Sequence, residues 1–187
     1  SKSQIEIYED KNNVIWIASA VMGGLNKYNR DTDNFAVYTH DPSKKDTLSS
    51  VYSIFEDSSG VFWVGTVEGL LNIFDRETGT IVKSYKNSFT PVSFRSILED
   101  NQNKNILWIG TQEDGLFKFD KLAETFTQYK HNKTSKGSLS NNVVINLFQE
   151  KVTLFLLLSY YSKLHYLTRL KMQNHLELSY FVKIHLI

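Results

Sequence analysis

Side-by-side carboxylates are the first candidates for chemistry in this chain, at Glu9-Asp10, Glu56-Asp57 and Glu99-Asp100. Two carboxyl groups can divide the work of acid and base across one bond. Neighbouring residues of a strand point to opposite faces, however, so the members of each pair are poor partners for one reaction centre. The Asp of each pair suits a different task, accepting backbone N–H groups in a turn. Four arginines, Arg30, Arg76, Arg95 and Arg169, fall on different elements, too scattered to clamp an anion together. His165, His175 and His185 recur at ten-residue intervals, a spacing that suits neither face of a helix for a shared metal. His40 and His131 follow strand-like segments and read as solvated side chains. There is no cysteine, no phosphate-binding loop and no Ser/His/Asp arrangement. The residues therefore point away from an enzyme and predict neither a metal nor a cofactor.

The elements that carry these pairs repeat. Glu56-Asp57-Ser58-Ser59-Gly60-Val61-Phe62-Trp63-Val64-Gly65-Thr66 has a second copy in Glu99-Asp100 followed by Ile106-Leu107-Trp108-Ile109-Gly110-Thr111. An earlier, decayed copy reads Glu9-Asp10 and then Val14-Ile15-Trp16-Ile17-Ala18-Ser19. The three tryptophans, Trp16, Trp63 and Trp108, stand 47 and 45 residues apart, a period that means one supersecondary unit per repeat. Within each copy Asp caps a tight turn and Gly60 supplies its positive φ; the third copy lengthens the turn with Asn101 to Asn105, where asparagine tolerates the same geometry. Val61-Phe62-Trp63-Val64 is apolar at every position, which in so short a run predicts a strand covered on both faces.

Around each such hairpin two more strands are expected. The first period gives Ile5 to Glu9, Val14 to Ser19, Gly24 to Tyr28 and Phe35 to Tyr38; the second gives Val51 to Glu56, Val61 to Thr66, Leu70 to Phe74 and Ile81 to Tyr85; the third gives Phe94 to Glu99, Ile106 to Thr111, Leu116 to Phe119 and Phe126 to Tyr129. Val143 to Glu150 begins a fourth unit that is not completed: Lys151 to Ile187 contains no Gly, Pro, Asp or Trp. That tail reads as an amphipathic helix or as translation out of frame, and a break in mid-unit favours the second. Its longest uncharged run, Val152 to Ser162, is too short for a membrane helix, which needs ~20 apolar residues. The 187 residues, 41% apolar and 22% charged, could hold one ordinary domain, and a net charge of +1 offers no bulk attraction for nucleic acid or an anionic membrane.

Four short strands per ~45 residues, repeated in tandem and buried on both faces, are the blade of a β-propeller. The expected organisation is all-β and an incomplete propeller: blade 1 over 1–50, blade 2 over 51–92, blade 3 over 93–142, the first strand of a truncated blade 4 over 143–150, and an atypical tail over 151–187. Such a chain would look cut from something longer and would self-associate through an open sheet edge. The words Val51-x-Ser53-Ile54-x-Glu56-Asp57-x-x-Gly60-x-x-Trp63-Val64-Gly65-Thr66-x-x-Gly69-Leu70, with Phe74-Asp75 and Tyr85, closely resemble the two-component regulator propeller repeat. Ser96 to Asp100, Leu107 to Thr111 and Gly115 to Asp120 resemble it again, while the first unit keeps Trp16-Ile17 and Gly23 to Tyr28 but has Ala18-Ser19 for Gly-Thr. The repeat positions Asp10, Trp16, Gly24, Asp57, Gly60, Trp63, Gly65, Thr66, Gly69, Asp100, Trp108, Gly110, Thr111 and Gly115 read as structural, the indoles buried between neighbouring blades.

The resemblance implies a piece of the periplasmic, ligand-sensing region of a hybrid histidine kinase in two-component signal transduction. In that family, repeats form paired seven-bladed propellers, many of them detecting glycan fragments, followed by a β-sandwich, a membrane helix and a kinase. The implied partners are further blades, a histidine kinase or other output domain, and an oligosaccharide ligand; a scaffold for protein–protein interaction without a small ligand is the alternative. The Asp-x-x-Gly-x-x-Trp word also resembles the Asp-box of sialidase propellers with a spacing different by one residue, but the scattered arginines do not support a glycan-active enzyme. Ligand groups of propellers come from loops at one end of the blades. Glu68, Gln112, Glu113 and Asp114, in loops between second and third strands, are accordingly the binding candidates, with Phe94 and Arg95 from the links. Carboxylate, amide and aromatic groups of this kind suit sugar hydroxyls and ring faces.

Overall fold

The computed structural model describes residues 5–20, 24–39, 43, 48, 50–89 and 92–150, together with the backbone of 153–159, 165–173 and 175–181. Its elements are strands. The first sheet holds β1 (Ile5–Glu9), β2 (Ile15–Ser19), β3 (Gly24–Asn29) and β4 (Asn34–Tyr38). The second holds β5 (Val51–Glu56), β6 (Phe62–Thr66), β7 (Leu70–Asp75) and β8 (Thr80–Lys86); the third holds β9 (Phe94–Glu99), β10 (Ile106–Thr111), β11 (Leu116–Asp120) and β12 (Thr125–Tyr129). In each, sequential strands are neighbours and pair antiparallel, the up-and-down order the period predicts. β13 (Asn146–Glu150) opens a fourth sheet. The tail continues that sheet as β14 (Thr153–Ser159), β15 (His165–Gln173) and β16 (His175–Phe181), antiparallel in turn. This corrects the helical reading of the tail: its backbone pairs with a strand already extended ahead of it, and β-branched, aromatic and leucine residues fit a ladder as readily as an amphipathic face.

The turns are the same object made from different residues. Asp57 N–H donates to Val61 O at 3.0 Å and Gly60 N–H returns to Asp57 O at 3.0 Å, with Gly60 at φ +87°. In the first sheet Asn13 takes that place at φ +59°, and the pair Asp10 N–H to Val14 O and Asn13 N–H to Asp10 O recurs at 3.0 and 2.9 Å. Asn can enter the left-handed region that the turn demands. The longer third hairpin keeps its closing bonds, Asp100 N–H to Ile106 O and Ile106 N–H to Asn103 O, both 2.9 Å. The turns between third and fourth strands are likewise built on one Asx side chain: Asn29, Asp75 and Asp120 each accept two backbone N–H groups through Oδ1 at 2.8 to 3.3 Å.

By compactness the chain divides into an N-terminal half, Ser1–Phe94, and a C-terminal half, Arg95–Ile187. The core of the first lies between its two sheets: Trp16, Ala18 and Leu25 of the first meet Val51, Ile54, Phe62, Val64 and Phe74 of the second. The Trp16 ring stands 5.0 Å from Phe62 and 6.0 Å from Phe74, so this indole is buried between neighbouring blades as expected. Every residue of β6 and β10 is buried. Gly65 is required by that closeness: a Cβ there would lie 2.3 Å from Ser53 Oγ and 2.9 Å from Phe94 Cβ. In the C-terminal half Gly110 faces Ser96 Oγ and Val144 O in the same manner, at 2.5 and 2.6 Å from a built Cβ. Ile106, Trp108, Leu116, Leu139 and Val144 form the core there.

Candidate functional site

Three aspartates with the best claim to reactivity are spent on structure. Oδ2 of Asp10, Asp57 and Asp100 accepts the indole N–H of Trp16, Trp63 and Trp108 at 2.9, 2.9 and 2.8 Å. Oδ1 of each takes backbone N–H groups of the turn, those of Asn12 and Val14, Ser59 and Val61, and Gln102 and Asn103. Capping was legible in the sequence; the indole bond was not drawn from it, although Asp10–Trp16 and Asp57–Trp63 have the same six-residue separation. The indole's partner on its other side also repeats, as Tyr38, Tyr85 and Tyr129 lie 6.1, 6.0 and 6.0 Å from the three rings. Burying an aromatic ring of this kind is worth roughly 1.5–3 kcal/mol, provided its N–H finds an acceptor.

The glutamates of the pairs face cations one turn beyond the third strands. Arg76 donates from Nη2 to Glu56 Oε1 at 2.9 Å and from Nη1 to Asp10 Oδ2 at 2.8 Å, tying the two sheets of the N-terminal half together. Lys121 meets Glu99 at 3.0 Å, and Arg30 approaches Glu9 at 3.9 Å. Burial, the largest single influence, pushes the Asp10 carboxyl up, but hydrogen bonds from Trp16, Val14, Arg76 and Asn12 together hold it below its ordinary value. Glu6 has no cation. It is half-buried against β5, where its Oε2 accepts the Ile54 N–H at 2.9 Å, and desolvation raises its pKa to about 7 against that one opposing bond.

The candidate binding residues divide between the halves. In the N-terminal half Glu68 is exposed in the turn after β6, whereas Phe94 is fully buried and presents no ring face to solvent. In the C-terminal half Arg95 donates Nη2 to Gln112 Oε1, and Asp114 pairs with Lys130 Nζ at 2.8 Å. Gln128 Nε2 donates to Asp114 O at 2.9 Å, and Glu113 is exposed. The loop is held by Thr111, whose Oγ1 donates to Gly115 O at 2.7 Å and accepts the Asp114 N–H at 3.0 Å. Gln128 and Lys130 were missed. The signal for them was topological: β12 ends beside the β10–β11 loop because Leu116 is paired with Tyr129.

Those two side chains also line a cavity of about 310 Å³ in the C-terminal half, with Trp108, Tyr129, Asn132 and Ser138 among its walls. The cavity therefore has an apolar floor with amide, hydroxyl and ammonium groups around it, and the ammonium of Lys130 links it to the Asp114 carboxylate of the neighbouring loop. Such a mixture can hold an uncharged polyhydroxylated ligand by planar hydrogen-bonding groups and ring faces. Among the described residues no group of three His, Asp or Glu is placed to hold a metal ion. His131 is exposed, its Nδ1 2.5 Å from Leu139 O. His40 and the side chains of His165, His175, His185 and Arg169 lie outside the described residues.

Comparison with known proteins places the repeat. Residues 47–68 match the two-component regulator propeller family. Histidine kinase P4 of Formosa agariphila is 33% identical over 129 residues, covering 67% of this chain and 9% of that protein. An extracellular domain assigned to a hybrid two component system of B. thetaiotaomicron is 25% identical with a TM-score of 0.66, over 86% of this chain and 22% of its own. A second such domain from the same organism gives a TM-score of 0.72 at 22% identity, over 97% of this chain and 25% of its own. The fold is thus that of propeller domains, and the chain spans less than a tenth of the curated relative and a quarter or less of the solved domains.

Proposed function

Because the chain is built of two-component regulator propeller repeats, we propose that it belongs to the extracytoplasmic sensing region of a hybrid histidine kinase-like receptor, and that its ligand is a carbohydrate. The observation that carries the carbohydrate reading is the adjoining of two features in the C-terminal half: the Arg95, Gln112, Asp114, Lys130 cluster and the cavity floored by Trp108 and Tyr129. Guanidinium, amide and carboxylate groups bind vicinal hydroxyls in pairs, and a ring face covers the sugar's C–H surface. Binding would reach an output domain as a bias between conformations, in proportion to the ligand's preference for one of them.

The test uses the parent protein with its full set of repeats, screened for thermal shift against a glycan library. The expected result is stabilisation by one class of oligosaccharide, lost in Asp114→Asn and Lys130→Met variants that keep the wild-type melting temperature without sugar. A protein that no sugar stabilises, but that still captures its output domain, would replace this reading with that of a protein-interaction scaffold.

A further inference from the structure

Two of the positions at which the first sheet departs from the repeat are partners of each other. In the second sheet Ser53 stands opposite Gly65 across β5 and β6; in the first, Glu6 stands opposite Ala18 across β1 and β2. The third copy returns to Ser96 and Gly110. In the serine and glycine form the next strand comes in close: Ser53 Oγ donates to Phe94 O at 3.0 Å, and a Cβ on Gly65 would strike both Ser53 Oγ and Phe94 Cβ. Ala18 carries that Cβ in a fully buried position, and β5 is held differently there. Glu6 takes the Ile54 N–H at 2.9 Å, three residues beyond Val51, the residue that matches Phe94. A hydroxyl that donates has been replaced by a carboxyl that accepts, and only the carboxyl changes charge with pH.

Glu6 is also the exception among the interior carboxylates of this half. Asp10 and Glu56 share Arg76, whereas Glu6 meets no cation among the described residues. Glu56 of β5, Asp10 and Lys11 of the first hairpin and Arg76 of the turn after β7 gather at the rim beyond Tyr8. Glu9 lies on the opposite face of β1 with Arg30, and β2 brings no titratable side chain. The influences on Glu6 itself are burial, which pushes its carboxyl up to about 7, and the Ile54 N–H, which lowers it. Asp10, held below its ordinary value, stays ionised through that range.

We propose that the Glu6–Ala18 pair makes the junction of the first two sheets a proton-controlled hinge, drawn closed when the Glu6 carboxyl is protonated and loosened when it ionises. Burial disfavours the charged form, and opening the junction lets water reach it. With a value near 4.5 in the open junction and about 7 in the closed one, the opening ratio rises with pH across that interval and levels off above it. Tyr8, whose Oη accepts the Glu56 N–H at 2.9 Å, is released by the same motion. The hinge acts within the N-terminal half and does not rest on the carbohydrate reading.

Amide hydrogen exchange in the 187-residue chain tests this, each rate divided by the intrinsic rate at the same pH so that only opening is compared. The Ile54 and Glu56 amides report the junction; the Asp57 amide, bonded to Val61 O inside the second sheet's own hairpin, is the reference. Protection of Ile54 and Glu56 falls about tenfold or more from about pH 5 to about pH 7.5, and that of Asp57 does not. Glu6→Gln, which cannot ionise, keeps the same protection at both pH values. So does Glu6→Ser combined with Ala18→Gly, which rebuilds the pair of the second sheet. Constant protection in the wild type, or a fall that persists in Glu6→Gln, overturns the proposal. An equal fall at Asp57 overturns it too, because the whole half is then unfolding. If the double variant does not fold, the Glu6→Gln comparison decides by itself.

Discussion

Removing the guanidinium of Arg76 should be the most costly single change at the rim of the N-terminal half, and its cost should depend on pH in a stated direction. Arg76→Ala leaves Asp10 and Glu56, with side chains 1% and 3% exposed, without the cation that bonds both at 2.8 and 2.9 Å. Each keeps other donors: Asp10 has the Trp16 indole and two turn amides, and Glu56 has the Lys11 N–H at 2.8 Å. Stripping one partner from a fully buried ion pair costs about 3–5 kcal/mol; the guanidinium is 20% exposed and the carboxylates remain bonded, so about 2–3 kcal/mol is expected. That is on the order of 50-fold in the folding equilibrium. The folded-state pKa of Asp10 lies below its unfolded value, so its contribution is present above the unfolded pKa and is lost as pH falls through the folded one. The difference between wild type and Arg76→Ala should accordingly be largest near pH 7 and shrink in acid, as the Asp10 carboxylate takes up a proton. Urea unfolding at a series of pH values measures it, and a double-mutant cycle with Asp10→Asn isolates the pair. A cost below about 0.5 kcal/mol near neutrality, or one that grows in acid, would refute the reasoning, because it would mean that water already satisfies both carboxylates.

Two further outcomes follow from the same geometry. Asp57→Asn keeps an oxygen for the amides of Ser59 and Val61 but turns an N–H₂ toward the Trp63 indole, setting two donors face to face; a loss of about 1–3 kcal/mol in urea unfolding is expected, and none if the indole bond contributes nothing. Glu6 has a folded pKa raised to about 7 from an ordinary value of 4.5, so its contribution is complete below the unfolded pKa and is lost as pH rises through that interval. Glu6→Gln, which retains an acceptor for the Ile54 N–H, should flatten stability between those pH values and exceed wild type above them; parallel pH profiles would show that Glu6 is solvated in the folded state.

What could be read from the amino acids was whatever is local. A turn closed by Asp57 and Gly60, a Trp six residues beyond the Asp, and an Asx-based turn after each third strand involve separations of a few residues, and they recur because the same short-range bonds close them. The uniformly apolar β6 and β10 likewise announced burial on both faces. The period multiplied these words into four-stranded sheets, because an isolated hairpin leaves an apolar face that only another unit can cover.

Tertiary structure decided where side chains distant in sequence meet. Arg76 finds Asp10 across 66 residues only because neighbouring sheets pack with Phe62 against Trp16, which sets the rim of one opposite the hairpin of the other. Phe94 looked like a ligand's ring partner in a link, yet it is the residue that fills the space left by Gly65. Gln128 and Lys130 entered the candidate site through strand register, and the tail joined a ladder rather than forming a helix because β13 offered it an edge. Periodicity reports which face of a strand is apolar; what lies against that face depends on packing between sheets, a long-range property that no spacing within one repeat encodes.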